Sequence, residues 1–443
     1  MLVQRRTLLL LAVLALLAAP AIALRAACVG RSCRAPQAVP KVPFCSLPAE
    51  TRDRIAAGFR EERSPDILAV TGSERVVGGT GLPAASPWPS VEAPNSARVP
   101  IVFWGAGVDP TAEVPAGTGL RDVAPTLASL IRFPIPHPEV RSGQEVVGIA
   151  SGERPRLLLM VVWKDVGTED LEDAAGRWPE LARFLSGGVG TLNGDVGSLP
   201  LDSAAALSTL GTGGLPAEHG ITGTLLRDGN RVVRAWSRGA PVSIIATLAD
   251  DLDERLRQRP MIGLVGTTRA DRGATGGNWY LAGDRDDIVI ATHPRAQASA
   301  ATSLLRAGYG ADGVPDLLVV AMDGSIPRMD AALGRVVRAA RRIVGGSVSV
   351  VVTATGSMGG PSAEGEVLAH RLREEVEGAL SVTGPVIKGV ALGGFFLNQR
   401  ALVDTGVTAE DVLRELRALP ARRGGRLLAD AFPGIAVTLA RYC

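Results

Sequence analysis

Three oxygen-bearing side chains stand close to the ends of apolar runs, and their types could support chemistry. Asp165 follows the run Leu157–Val162, Asp323 follows Leu317–Ala321, and Ser203 opens an alanine-rich stretch. Carboxylate and hydroxyl oxygens are groups that can bind a cation or, for a serine, act as a nucleophile. A serine at the start of a helix can also serve only as its N-cap. Position alone does not separate the nucleophilic role from the capping role for Ser203.

A glycine-rich stretch, Gly263–Tyr280, is a second candidate site. It lacks the Gly-Lys-Ser/Thr ending of a P-loop and the glycine spacing of a dinucleotide-binding turn. We interpret it as a surface loop over the sheet edge, and the alternative is a loop that faces an anionic or sugar-like ligand. The side chains available to such a ligand are Arg269, Arg272, Asn278 and Trp279.

The elements that must position these residues alternate along the chain. Short runs rich in Val, Ile and Leu, typical of strands buried on both faces, are separated by helical patterns. This alternation predicts an α/β fold, with three layers and a central, largely parallel sheet between helices. The predicted strands are Ile67–Thr71, Pro100–Trp104, Leu157–Val162, Met261–Val265, Ile288–Ala291, Leu317–Ala321 and Val348–Thr353. The predicted helices are Ala49–Arg60, Val123–Ile131, Trp178–Leu185, Ala204–Leu210, Met329–Ile343 and Ala409–Leu416.

The composition is that of a globular protein without a nucleic-acid partner. Hydrophobic residues make up 46% of the 443 residues and charged residues 21%. The formal net charge is only +2, so nothing favours binding to a polyanionic nucleic acid.

The N-terminus predicts export. Arg5 and Arg6 precede the apolar run Leu8–Ala19, and small residues follow, which is the pattern of a signal peptide. We assign residues 1–27 to the signal peptide and 28–44 to a linker, and expect a secreted or cell-surface protein. An uncleaved N-terminal anchor is the alternative, and it would be the chain's only contact with a membrane.

Two motifs resemble the alkaline phosphatase superfamily, especially its type I phosphodiesterases and nucleotide pyrophosphatases. The first is the apolar run that ends at Asp165, where the family has a zinc-binding Asp; here Val166 replaces the Gly that usually follows. The second runs from Ser203 to Thr212-Gly213 and on to the Pro-x-x-His-Gly-Ile turn of His219. By that resemblance Ser203 occupies the nucleophile position, and His219 is a turn residue and not a metal ligand.

A third stretch resembles the C-terminal part of bacterial alkaline phosphatases, yet it comes first in this chain. It runs through residues 63–143 and includes Gly79-Thr80 and Asp122–Leu127. This order implies a circular permutation, with residues 45–147 as the family's C-terminal part and 155–443 as its N-terminal part, in a single domain from 45 to 443. A disulfide between Cys45 and Cys443 would close the old joint. The alternative is two incomplete domains that pair with another chain.

The resemblance also implies that metal ligands have been lost. Thr353-Ala354-Thr355-Gly356 stands where the family has Ser-Asp-His-Gly, and no histidine follows Asp323 or Gly79-Thr80 at the family's positions. Asp165 and Asp323 remain as metal candidates, so we expect no bound cofactor, with zinc or a single divalent cation as the alternative. The four histidines, none of them at a ligand position, are His137, His219, His293 and His370.

We therefore expect a catalytically degenerate protein that acts by binding, or structurally, at the cell surface. Its partner would be a cell-surface protein or an anionic ligand. The alternative is an active phosphoesterase that uses Ser203 with a reduced metal site. The sequence has no Gly-x-Ser-x-Gly motif, which disfavours a serine hydrolase of that type.

Overall fold

The computed structural model describes residues 44–91, 95–277, 279–280, 285–357, 359, 365–382, 384–422 and 424–439. The predicted signal peptide, nearly all of the predicted linker, Asn278 and Cys443 lie outside the described residues.

The described residues form an α/β fold, as predicted. The strands are β1 (Ile67–Thr71), β2 (Arg75–Val77), β3 (Arg98–Gly105), β4 (Leu157–Trp163), β5 (Val189–Asp195), β6 (Leu225–Asp228), β7 (Arg231–Arg234), β8 (Ile262–Gly266), β9 (Asp287–Ile290), β10 (Asp316–Met322), β11 (Val348–Ala354), β12 (Glu366–Leu368), β13 (Ile387–Ala391), β14 (Gly394–Leu397) and β15 (Leu428–Pro433). The helices are α1 (Ala49–Gly58), α2 (Val123–Leu130), α3 (Thr168–Asp173), α4 (Pro179–Gly187), α5 (Ser203–Thr212), α6 (Pro216–His219), α7 (Leu248–Leu256), α8 (Pro294–Ala307), α9 (Ile326–Val344), α10 (Ala369–Ala379), α11 (Gln399–Thr405), α12 (Ala409–Ala418) and α13 (Ile435–Leu439).

The main sheet has seven strands in the order β5-β3-β11-β4-β10-β8-β9. Every pairing is parallel except the two made by β3, which runs against both β5 and β11. The central strands β4, β10 and β11 are buried along their whole length, which explains their uninterrupted apolar runs. The prediction of a largely parallel central sheet is therefore confirmed.

Helices cover this sheet in two groups. Helix α9 contacts α4 and α8, while α5 contacts α2 and α7. Each helix turns an apolar side inward; in α9, for example, Met329, Leu333 and Val337 are fully buried.

A second, antiparallel sheet has the order β13-β14-β1-β15. The run Ile67–Thr71 forms strand β1 as predicted, but it belongs to this smaller sheet and not to the parallel one. Burial on both faces gives the same apolar run in either sheet, because the pattern reports burial and not strand direction.

The first hundred described residues contribute to both sheets. Strand β1 lies between β14 and β15, and β3 lies between β5 and β11. The two ends of the described chain also meet: the ring of Phe44 packs on that of Phe432 with centroids 4.8 Å apart, and α13 contacts α1. Residues 44–147 and 155–439 thus share their cores.

Within the described residues, no helix is both long enough and apolar enough to cross a membrane.

Candidate functional site

A cleft of about 750 Å³ opens at the carboxyl ends of the parallel strands. Asp165 follows β4 and Asp323 follows β10, and both line the cleft together with Ser203 at the start of α5. The carboxyl ends of parallel strands meet at one edge of a sheet, which is where α/β proteins usually bind ligands. The structure thus brings together the three oxygen-bearing residues singled out in the sequence.

Asp165 has a left-handed backbone and is held by two neighbours. Its φ is +59°, a conformation that costs a non-glycine residue free energy and is frequent at functional sites. Its backbone N–H donates to Thr355 Oγ1 at 2.8 Å, and its Oδ1 accepts from Ser203 Oγ at 2.8 Å. The two hydroxyl oxygens of Ser203 and Thr355 are 3.4 Å apart.

The N-cap of α5 is Asp202, and Ser203 is the first residue of the helix. The Asp202 carboxylate accepts from Ala204 N at 2.9 Å and from Thr224 N at 2.8 Å. The interpretation of Ser203 as a capping residue is therefore wrong, since the preceding aspartate takes that role and leaves the Ser203 hydroxyl to bond Asp165. The sequence could have shown this, because an aspartate directly before a helical stretch is a preferred N-cap residue.

Burial raises the pKa of the Asp165 carboxyl. The hydrogen bond from Ser203 and the charge of Lys164 oppose this shift, while the nearby carboxylates of Asp323 and Asp202 add to it. Burial also raises the pKa of Asp202, against the hydrogen bonds that this carboxylate accepts. Burial at the floor of the cleft therefore disfavours the charged form of both carboxyls.

A buried ion pair, which the sequence analysis missed, forms one wall of the cleft. Lys164 Nζ lies 2.8 Å from Asp271 Oδ1 and 2.6 Å from Thr267 Oγ1, and both ionic side chains are buried. Asp271 Oδ2 in turn accepts from the backbone N–H groups of Thr267 and Thr268. The pair fixes the turn after β8 against the end of β4, because a buried charge needs close partners to offset its lost hydration.

The residues present do not fit a two-zinc centre. Ala354 and Thr355 stand at the end of β11, where the family resemblance expects an Asp-His pair. Both are buried, and of the two only Thr355 offers a polar side chain, a hydroxyl. Among the described residues, no group of three or more His, Cys, Asp or Glu side chains is placed to hold a metal ion. Zinc sites normally draw their protein ligands from these types.

The glycine-rich stretch does more than cover the sheet edge. Its 3-10 helix Arg269–Ala274 packs on α5, and a Cβ added to Gly273 would lie 2.8 Å from the backbone nitrogen of Ser208. The glycine is needed for this close approach.

The four residues of that stretch that were candidates for contact with a ligand differ in their surroundings. Arg269 is exposed and lines the cleft. Arg272 Nε donates to Gly276 O at 2.6 Å, and Trp279 Nε1 donates to Ser243 O at 3.1 Å, so these two are engaged by backbone carbonyls elsewhere. Asn278 lies outside the described residues.

The described histidines hold local structure. His219 is fully buried: its Nδ1 accepts from Ile221 N at 3.1 Å, which leaves Nε2–H to donate to Thr209 Oγ1, also at 3.1 Å. His293 Nδ1 caps α8 by accepting from Ala296 N at 3.2 Å.

Burial without a charged partner lowers the pKa of His219 to about 3. The unfolded chain binds a proton here below about pH 6.5, whereas the folded chain does not until about pH 3, so acid favours unfolding. We expect this group to remove stability as the pH falls from about 6.5 to about 3, by at most about 1.4 kcal/mol per pH unit.

The measurement is a ¹⁵N NMR titration of the histidine side chains, with the His219→Asn variant used for assignment. The His219 signals should stay those of the neutral ring down to pH 5. A midpoint near pH 6.5 for this residue would contradict the burial argument.

Comparisons with known proteins find similarity only at the level of structure. No protein-family model matches the chain, and no curated protein matches it. Among solved structures, wild-type alkaline phosphatase PafA is 14% identical, with a TM-score of 0.47, over 60% of this chain and 77% of that one. A mutant of the same enzyme gives a TM-score of 0.45 at 14% identity, with the same coverage of both chains.

A third structure, Ps i-CgsB solved in complex with k-i-k-neocarrahexaose, is 13% identical, with a TM-score of 0.29, over 55% of this chain and 64% of that one. All three TM-scores are below 0.5, so the action of the cleft has to be argued from its own residues.

Proposed function

We propose that this chain is an exported, catalytically degenerate protein of alkaline phosphatase-like fold that binds a ligand in the cleft at the cell surface. The observation that carries the proposal is the position of Thr355. Its hydroxyl bonds the Asp165 backbone and lies beside Ser203, at the place where the resemblance implies two metal ligands.

The polar groups at this point satisfy one another. Ser203 donates to Asp165, Asp165 N–H donates to Thr355, and the Asp202 carboxylate is taken up by backbone and hydroxyl donors of α5 and Thr224. A hydroxyl cannot replace a carboxylate or an imidazole as a strong zinc ligand. The arrangement therefore keeps the inherited framework but not the charges that would stabilise a transferring phosphoryl group.

The cleft suits a ligand that carries both an anionic group and hydroxyl groups. Arg269 is exposed at its wall, while Thr268 and Ser237 add hydroxyl groups along the same surface. Arg234 also lines the cleft, and its Nη2 donates to the backbone carbonyl of Gly81. Arginine forks bind carboxylate, phosphate or sulfate in two-pronged fashion.

The test is the metal content and phosphoesterase activity of the full chain. After purification without chelators and dialysis in zinc, elemental mass spectrometry should find well below one zinc per chain. Hydrolysis of p-nitrophenyl phosphate and bis(p-nitrophenyl) phosphate should be equal for the wild type and Ser203→Ala. A content close to two zinc ions per chain would contradict the proposal that the protein is catalytically degenerate.

The second candidate function, an active phosphoesterase, is favoured by the Ser203–Asp165 hydrogen bond. Ser203 Oγ would attack phosphorus while its proton passes to Asp165 Oδ1 at 2.8 Å; the P–O bond to the alcohol would break, and the departing alkoxide would take that proton. A water molecule would then attack the phosphorus of the phosphoserine and release phosphate, with its proton returning to Ser203 Oγ. Asp165 must then be ionised before attack, which its raised pKa opposes at low pH. Hydrolysis that disappears in Ser203→Ala would support this candidate.

We propose, as well, that the chain is a single domain with a circularly permuted order of segments. The packing of α13 on α1 and of Phe432 on Phe44 supports it, because the old joint would have to lie between these ends. The sharing of both sheets by residues 44–147 and 155–439 supports one domain over two incomplete ones. Cys45 lies beside this junction, and its proposed pairing with Cys443 falls outside the described residues.

A further inference from the structure

Arginines are concentrated on two adjacent helices of one layer. Helices α8 and α9 contact each other and together contain seven arginines and a single acidic residue, Asp330. Asp330 is buried and accepts from the backbone N–H groups of Glu180 and Leu181. The whole chain has 47 basic and 45 acidic residues, so acidic residues outnumber basic ones outside these two helices.

The arginines of α9 form a stripe along its outer side. Arg328, Arg335, Arg338 and Arg342 recur at steps of seven, three and four residues, and all are exposed. Such steps place side chains on one face of a helix, and at 1.5 Å per residue the stripe is about 21 Å long. We call these four residues the arginine stripe.

Most of the stripe has no ionic partner among the residues that the structure describes. Arg338 pairs with Glu180, whereas Arg328, Arg335 and Arg342 form no ion pair with any described residue. Ile343 stands next to the stripe with 41% of its surface exposed. Unpaired like charges along one helix repel each other, so the stripe is costly unless something outside the chain neutralises it.

We propose that the arginine stripe docks the protein on the anionic surface of a membrane. Guanidinium groups bind phosphate in two-pronged fashion, and each basic residue near an anionic bilayer adds about 1 kcal/mol to binding. The exposed Ile343 suits the boundary between headgroups and acyl chains. Outside α8 and α9 acidic residues outnumber basic ones, so an anionic surface repels the rest of the chain. This repulsion orients α8 and α9 toward the membrane.

The test is co-sedimentation of the full chain with vesicles of phosphatidylcholine alone or with phosphatidylglycerol at a 7:3 molar ratio (about 30% anionic lipid, enough to set up a negative surface potential). The variant Arg328→Gln/Arg335→Gln/Arg342→Gln removes the unpaired arginines, and glutamine has a similar helix propensity. The matched control, Arg255→Gln/Arg371→Gln/Arg400→Gln, removes the same charge from exposed positions on other helices.

We expect the wild type and the control to bind the anionic vesicles alike, and the stripe variant, which lacks three arginines worth about 1 kcal/mol each, to bind on the order of a hundredfold more weakly. Raising the salt concentration should erase this difference. Binding through the N-terminal apolar segment would be the same for all three proteins and would also occur with neutral vesicles. It therefore does not affect the difference in binding between the stripe variant and the wild type.

Equal vesicle binding by the stripe variant and the wild type would overturn the proposal. So would stripe-dependent binding to dextran sulfate without binding to anionic vesicles, which would indicate a soluble polyanion as the partner. Neither result bears on the zinc and hydrolysis test of the cleft.

Discussion

Replacing Arg141 by alanine is expected to lower the free energy of unfolding by about 3–5 kcal/mol, because it leaves a buried carboxylate without its cation. Arg141 and Asp251 have side chains that are 2% and 0% exposed, and they lie 3.3 Å apart. The guanidinium also donates to Thr212 O at 3.0 Å and to Pro136 O at 3.2 Å. Arg141 thus ties the end of α5 to α7 and to the segment before Gly143.

Urea unfolding followed by circular dichroism would measure this loss. Arg338→Ala is the matched control, since its ion pair with Glu180 is largely exposed and should be worth no more than about 1 kcal/mol. The double variant Arg141→Met/Asp251→Leu should recover much of the lost stability, because it removes both charges. An equal loss in the free energy of unfolding for Arg141→Ala and Arg338→Ala would show that the buried ion pair stabilises the fold no more than the other pair does.

Replacing Gly58 by alanine is expected to destabilise the protein by about 2–3 kcal/mol or more, the range seen when a well-packed site is overfilled. A Cβ at Gly58 would lie 1.9 Å from Leu199 O, so either α1 or the backbone leading to Ser203 must move. Leu199 N also donates to Arg54 O at 2.9 Å, which fixes this approach from the other side. Helix α1 therefore supports the entry to α5.

The control for this prediction is Gly378→Ala in α10, where an added Cβ meets nothing within 4 Å. Alanine has the better helix propensity, so this variant should gain about 0.5–1 kcal/mol. Thermal unfolding of both variants is the measurement. A Gly58→Ala protein as stable as Gly378→Ala would mean that α1 does not pack on Leu199 as described.

The sequence was sufficient for much of the fold and for part of the cleft. Each predicted strand and helix exists, with bounds shifted by a few residues, because continuous apolar runs and helical periodicity are local signals. Asp165 and Asp323 could be placed at one sheet edge from strand direction alone. The resemblance to the alkaline phosphatase superfamily pointed to the fold class that the structure has.

Not every strand was predicted. The hairpin of β6 and β7 and the pair of β2 with β12 are three or four residues long and partly exposed, so they carry little apolar signal. Strands β5, β13, β14 and β15 were missed as well, although β14 and most of β15 are buried. Whether such a short segment forms a strand depends on its packing against the neighbouring strand more than on its own composition.

What the sequence by itself determined was most strands of the main sheet, six of the helices and the residue types available at the strand ends. Tertiary structure alone decided that Ser203 bonds Asp165, that Lys164 pairs with Asp271, and that the Thr355 hydroxyl contacts the Asp165 backbone. These contacts join residues 38 to 190 positions apart. Patterns of burial and helical periodicity can be recognised from residues that are neighbours in sequence. A hydrogen bond between distant residues depends on which strands lie side by side, and this is determined only when the sheet forms.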